Sequence, residues 1–257
     1  MGRFAMPEKH LCEITEIMSM TGTAYSVTMN CGSMAAEVRA GQFLHIKCGD
    51  GRILRRPIGV CSVARDNVRF VFEVKGEGTR WLSLRKPGDI LDILGPLGNG
   101  YSIPDGDIII VGGGLGSPPM LFAAQSARRR VTAVLGFRDM SRVMMTEEFK
   151  TVCDKVYLTT DDGSIGIHGT VSAPLEELLR GGGYAAVLAC GQLAMQRAVA
   201  ELCKRYAVPC QVSLEERMGC GVGACLVCVC ATVSDGIEQN RRVCKDGPVF
   251  NASEVVW

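Results

Sequence analysis

"DIIIVGGGLGSPPMLFAA", residues 107–124, is where the rhythm of the chain changes. A continuous apolar run ends in glycines, and a helix-like segment follows, "PPMLFAAQSARRR". A strand that is apolar on both faces needs cover on both, and helices supply it in a parallel sheet. The alternation continues: "VTAVLGF" precedes a helical "SRVMMTEEFKTV", "KVYLTTDDG" precedes "TVSAPLEELLR", and "YAAVLACG" precedes "LAMQRAVAELCKRY". Residues 103–208 therefore read as a doubly wound α/β domain. Its glycine turn lies where such a sheet presents a helix N-terminus to a dinucleotide. The turn is an incomplete G-x-G-x-x-G, because Gly112 and Gly114 fit while Ser117 holds the third glycine place.

Working back toward the N-terminus, residues 1–102 have a different texture. Short runs such as "HLCEITEIMSM", "AYSVTMNC", "QFLHIKC", "RPIGVCSVA", "VRFVFEVKG" and "DILDILGPLG" are separated by turns such as "AGQ", "RDN" and "KPGD". Evenly spaced, turn-bounded strands predict an antiparallel β-barrel or sandwich. The chain as a whole is thus a multi-domain protein.

Working forward, Pro209 opens a tail, 209–257, too small to hold together by burial alone. It contains "ERMGCGVGACLVCVC", residues 216–230. Cys220, Cys225 and Cys228 are spaced C-x4-C-x2-C, and Cys244 follows after fifteen intervening residues. That is the ligand pattern of plant-type [2Fe–2S] ferredoxins. Gly219, Gly221, Gly223 and Ala224 let a loop close tightly with its N–H groups turned toward sulfur. Zinc more often takes two separate C-x2-C knuckles, and a redox pair of Cys225 with Cys228 would leave Cys220 and Cys244 unexplained. Those two readings stay as alternatives, and Cys230 is read as packing.

Composition bounds the rest. A formal net charge of +1 over 257 residues gives no field that would attract nucleic acid or an anionic membrane. The N-terminal "MGRFAMPEKHLCEITEI" has no apolar stretch of signal-peptide length, and the most apolar segment is broken by glycines and Pro118-Pro119. A cytoplasmic location is expected, with the thirteen cysteines reduced.

Taken together, "SLEERMGCGVGACLVCVC", "RRVCKDGPVF", "LRRPIGV", "KGEGTRWLS", "GDILDILGPLGNG" and "GGGLGSPPM" resemble the electron-transfer subunits of type B, NAD-dependent dihydroorotate dehydrogenase. The likeness covers essentially the whole chain, in order. It implies a ferredoxin-reductase superfamily layout: an FAD-binding β-barrel domain (1–102), an NAD-binding α/β domain (103–208) and a [2Fe–2S] domain (209–257). It implies a flavin site at Arg56, Pro57, Ile58 and Gly59, at the strand Val71-Phe72-Glu73, and at Gly78-Thr79. An arginine suits the pyrophosphate because a guanidinium donates paired hydrogen bonds. For NAD it implies Gly113, Gly114, Gly116, Cys190 and Gly191, and for iron Cys220, Cys225, Cys228 and Cys244. "TDDG", Asp161 to Gly163, is read as a strand-end turn beside the pocket. The spacing alone does not choose NAD over NADP.

The resemblance further implies a partner, an FMN-containing dihydroorotate dehydrogenase catalytic subunit, in a hetero-oligomer of two copies of each chain. Electrons from dihydroorotate would pass to the [2Fe–2S] cluster, then to FAD, and as hydride to NAD⁺, in pyrimidine biosynthesis. Flavin stands between the one-electron and two-electron carriers because it handles both. No catalytic side chain is nominated, and His10, His45 and His168 lie outside every motif. The sequence departs from the family pattern at Gly59, where serine is usual, at Ser117, where a small apolar residue is usual, and at Gln192, where proline is usual. Two other readings are kept: an NAD(P)H:ferredoxin-type reductase or diaphorase subunit of another redox complex, and a non-catalytic, zinc-stabilised binding protein.

Overall fold

A computed structural model describes residues 8–51 and 53–257. The reading of the N-terminus falls partly on residues 1–7, outside that range. The expected strands of the first part are present as β1 (Lys9–Ser19), β2 (Ala24–Asn30), β3 (Phe43–Ile46), β4 (Arg56–Ala64), β5 (Asn67–Glu73) and β6 (Ile90–Leu97). They close into an antiparallel barrel in the order β1-β2-β5-β4-β3-β6, with β6 returning to pair with β1. Closure leaves no unpaired edge. Alternation places Ile14, Val27, Met29, Leu44, Val60, Phe70 and Leu91 inside. One element was not foreseen: the turn-like "GEGTRWLS" forms helix α1 (Glu77–Ser83). Its start is set by Thr79, whose hydroxyl accepts the N–H groups of Lys75 (2.9 Å) and Gly76 (3.1 Å).

The second unit is a sheet built on β7 (Ile108–Gly113), β8 (Val131–Phe137), β9 (Lys155–Thr160), the short β10 (Ile167–His168) and β11 (Ala186–Cys190). Helices α2 (Ser117–Ser126), α3 (Thr146–Val152), α4 (Ser172–Gly181) and α5 (Leu193–Arg205) cover its faces. The helical pattern read over 141–152 shortens to α3, because Met145 takes a left-handed φ of +62° and sets the helix start behind it. Strand β12 (Cys210–Ser213) runs parallel to β11, and β15 (Val249–Asn251) pairs antiparallel with β12. The sheet order is β10-β9-β8-β7-β11-β12-β15. The tail after Pro209 therefore contributes two strands to the sheet as well as its own hairpin, β13 (Val229–Ser234) with β14 (Ile237–Arg242). Asp235-Gly236 turns that hairpin with both residues at positive φ, as a tight two-residue turn requires.

The cores of the three units are not separate. One apolar cluster runs from the barrel interior through α2 to a face of the sheet. On the other face, Phe43 and Leu97 of the barrel join α4, α5 and the buried Cys228, Val243, Cys244 and Phe250 of the tail. Asn99 bonds through its main chain to Gly247 O (2.7 Å) and through its side chain to Asp246 O (3.0 Å), holding the tail to the barrel exit. Among the described residues, no helix is long and apolar enough to cross a membrane.

Candidate functional site

The strand order reverses between β7 and β11, and a crevice opens at that point of a doubly wound sheet. Here the two strand ends touch backbone to backbone. A Cβ on Gly116 would lie 2.2 Å from the Cys190 carbonyl oxygen, and one on Gly191 would lie 3.1 Å from the Gly113 Cα. Side chains at these glycines would force the strands apart, so the glycines are needed for the approach itself. Gly113, Gly114, Gly116 and Gly191 line a cleft of about 930 Å³ that also reaches Glu73 and Lys75 of the barrel. Arg138, Asp161 and Asp162 line it as well. The cleft's volume, with glycine backbone at a helix start and charged residues among its lining, suits a dinucleotide. Cys190 itself is buried behind Gly191, and burial, with Glu215 adding its charge, pushes its thiol up to about 12.

The residues expected at the flavin form a second group on the barrel. Arg56 lies against Gly78 so closely that a Cβ there would be 2.6 Å from the guanidinium Nε. Glycine at 78 is what admits that arginine. The Thr79 hydroxyl, which donates to Gly76 O (3.1 Å), serves as the cap of α1. Pro57, Ile58 and Gly59 pair with His45, Leu44 and Phe43 on β3. On β5, Val71 and Phe72 are buried and Phe72 stacks on Tyr25 (5.8 Å between centroids), leaving Glu73 to face the cleft. Glu73 takes a hydrogen bond from Thr23 (2.9 Å) and pairs with Arg142, an ion pair across the cleft between barrel and sheet. The Arg56 group does not line the large cleft; Glu73 alone of the flavin set belongs to both.

The cysteines form a third group. The Cys220 sulfur accepts N–H bonds from Val222 (3.4 Å), Ala224 (3.3 Å) and Cys225 (3.4 Å). The Cys225 sulfur accepts from Cys220 N–H, that of Cys228 from Cys244 N–H (3.4 Å), and that of Cys244 from Gly223 N–H (3.1 Å). The thiols fall into two touching pairs, Cys220 with Cys225 and Cys228 with Cys244. Among the described residues, no three His, Cys, Asp or Glu side chains are grouped as a single ion would need. Two thiolates for each of two irons, with backbone N–H groups aimed at sulfur, is the donor set of a [2Fe–2S] cluster. Burial opposes charge on Cys220, but the N–H groups of Val222, Cys225 and Ala224 outweigh it and bring its thiol down to about 6. Cys244 is buried against the Cys228 thiol and stands up at about 12 without metal. Arg242 braces the loop, donating to Asp246 (2.9 Å) and to Gly223 O (3.3 Å). Cys230 lies in β13 opposite Arg241, outside both thiol pairs.

Residues that sequence reasoning passed over also converge here. Arg142 and Glu215 line the cleft, as does Gln192, previously noted only as a departure from pattern. Gln196 is buried in α5 and donates to Gly191 O (2.7 Å) and Ser213 O (2.9 Å), tying the ends of β11 and β12. None of these carries a local signature, since each is defined by what the fold brings opposite it.

The sequence profile of the iron–sulfur cluster binding domain of dihydroorotate dehydrogenase B matches residues 215–256. The chain is 42% identical over 229 residues to the dihydroorotate dehydrogenase B (NAD⁺) electron transfer subunit of Clostridium perfringens, covering 86% of this chain and 88% of that one. Its counterpart in Desulforamulus reducens is 35% identical over 95% of this chain and 97% of its own length. The chain belongs to the family of dihydroorotate dehydrogenase B electron transfer subunits. A solved structure of an NADH-dependent reduced ferredoxin–NADP oxidoreductase, studied for flavin-based electron bifurcation, contains a chain that overlays with a TM-score of 0.85. That chain is 33% identical, and the match covers 100% of this chain and 92% of it. The cytochrome P450 reductase of Amycolatopsis shares the fold at 18% identity and a TM-score of 0.65, covering 77% of this chain and 66% of its own.

Proposed function

We propose that this chain is the electron-transfer subunit that passes reducing equivalents from an FMN-containing dihydroorotate dehydrogenase catalytic subunit to NAD⁺, as part of pyrimidine biosynthesis in the cytoplasm. The observation that carries the reading is the paired thiol loop packed, through Cys228 and Cys244, into one apolar cluster with Phe43 and Leu97 of the barrel and a face of the sheet that carries the nucleotide cleft. When bound, FAD exchanges single electrons with a [2Fe–2S] cluster and delivers two as hydride to NAD⁺. The chain's own residues bind and orient these groups. Cys220, Cys225, Cys228 and Cys244 hold the cluster. Arg56 holds the flavin pyrophosphate, with Gly78-Thr79 shaping the turn beside it, and Pro57-Ile58-Gly59 and Val71-Phe72-Glu73 supply the strands against the flavin. Gly113, Gly114 and Gly116 cradle the NAD pyrophosphate, and Cys190-Gly191 close on the nicotinamide side. The division of labour follows 1–102, 103–208 and 209–257, the last unit also completing the sheet. Leu226 and Val227 are exposed beside Cys225 and give the catalytic subunit an apolar footing next to the cluster. The assembly is two copies of each chain.

A second reading is carried by the chain-long likeness to part of the reduced ferredoxin–NADP oxidoreductase: a reductase or diaphorase subunit of another redox complex. Purification with associated proteins, followed by cofactor analysis and assay, separates the readings. The expected result is FAD, two irons per chain, an FMN-bearing partner and dihydroorotate-dependent NAD⁺ reduction. Transfer from NADPH to ferredoxin, with no response to dihydroorotate, would support the second reading. A colourless protein containing zinc would overturn both.

A further inference from the structure

His45 is the one histidine of the chain buried in the barrel wall, at 1% exposure on β3. Neither ring nitrogen reaches a partner at full hydrogen-bond geometry. A buried donor left without a partner costs about 1–3 kcal/mol, so a side chain like this is normally replaced or satisfied. Its surroundings indicate what it serves. In register, His45 pairs with Pro57 of the Arg56-Pro57-Ile58-Gly59 segment on β4 and with Leu94 on β6. On its other side lies the cysteine loop: a Cβ on Gly221 would sit 2.5 Å from His45 Nδ1. Gly221 follows Cys220 directly and has a φ of +73°, so the loop turns over the imidazole with no side chain of its own between them. The backbone of Cys220 lies beside the ring, as does that of Arg55. A neutral imidazole carries one N–H to give.

We propose that His45 is the positioning residue of the iron–sulfur loop, a barrel-borne imidazole that donates its N–H toward the Cys220–Gly221 segment. It keys the loop to the strand that holds the flavin and raises the cluster's reduction potential. The inference rests on reading this loop as the cluster's seat. Donors directed at a cluster and its ligands favour the reduced, more negative state. The electron carried between cluster and flavin would thus cross a joint whose spacing one buried side chain maintains.

The test uses the full chain loaded with FAD and cluster, comparing His45→Leu and His45→Gln with the unsubstituted protein. The readouts are an EPR-monitored redox titration of the cluster, its g-values, and FAD and iron content. In His45→Leu, FAD and iron should stay at parent levels, with altered g-values. The ratio of reduced to oxidised cluster at a fixed potential should fall about tenfold, about 59 mV for a one-electron couple. His45→Gln, which keeps an N–H donor, should recover most of the shift. An unchanged potential in His45→Leu, or a shift to more positive values, would overturn the proposal. So would a glutamine variant no different from leucine, because packing alone would then explain the residue. If His45→Leu does not fold, a parent-like potential in His45→Gln supports the donor role and a fall in it of tenfold overturns it. Unsubstituted protein with FAD but no iron would defeat the reading of the loop before any variant is made.

Discussion

Gly59 stands where the family resemblance expects serine, and its neighbours give a reason. A Cβ there would come 2.9 Å from Pro119 Cγ, at the start of α2, where that helix packs on β4. Contacts below 3 Å must be relieved by displacement, and inserting atoms into a packed contact costs about 1–3 kcal/mol. Gly59→Ser should therefore lower the thermal midpoint by several degrees, and adding Pro119→Ala should restore at least half of the loss. Calorimetry on the single and double variants checks this; additive losses would mean that Pro119 is not what excludes the side chain. Because the backbone N–H at 59 survives, FAD stoichiometry should be unchanged in both.

Arg55, next to the Arg56-Pro57-Ile58-Gly59 segment, illustrates how elements are joined. Its guanidinium donates to His45 O (3.2 Å) and Asp92 O (2.9 Å), and to the Asp92 carboxylate (2.7 Å), binding the start of β4 to β3 and β6. Lys9 on β1 adds a further contact to the same carboxylate (3.3 Å). Burial works to raise the Asp92 pKa, but Arg55 and Lys9 prevail and hold it below its ordinary value of 3.8. A carboxylate depressed in the folded state stabilises it at pH values above the unfolded pKa, and that contribution fades as pH falls through the folded one. Asp92→Asn should thus cost about 1–2 kcal/mol at pH 7, by loss of hydrogen bonds to a charged group. The gap in thermal midpoint between parent and variant should stay constant down to about pH 5 and close below about pH 4. A gap that persists undiminished at pH 3 would show that the carboxylate's charge is not its source.

Across the whole molecule, the iron–sulfur segment draws its burial from its neighbours. Residues 214–228 contain no helix or strand, and Gly221, Gly223 and Leu226 all have positive φ. Many of the loop's ordering bonds are N–H contacts to sulfur, and a metal-bound thiolate accepts such bonds more strongly than a thiol does. Removing iron with a chelator and reductant should accelerate amide exchange across 219–228 and 242–246. The strands Ile108–Gly113 and Ala186–Cys190 should stay protected, and FAD should stay bound. Loss of protection throughout the sheet would mean instead that the cluster supports the entire fold.

The sequence by itself determined the elements whose cause is local. Short, evenly spaced strands bounded by turns became the barrel, apolar strands alternating with helices became the sheet, and C-x4-C-x2-C with a distant cysteine marked the thiol loop. The tertiary structure decided what meets what. Strand β12 joined the sheet beyond Pro209 because its pairing with β11 is set by backbone register, which leaves little trace in side-chain pattern. α1 formed within a run that reads as a turn because the Thr79 cap supplies its start. Arg142 met Glu73 across the cleft, and Gly59 met Pro119, through the packing of separate units. His45 lies outside every motif because its meaning comes from Gly221, a residue far away in the chain that only the folded backbone brings against its ring. Periodicity and ligand spacing are properties of neighbours in sequence, whereas an unsatisfied nitrogen is defined by neighbours in space.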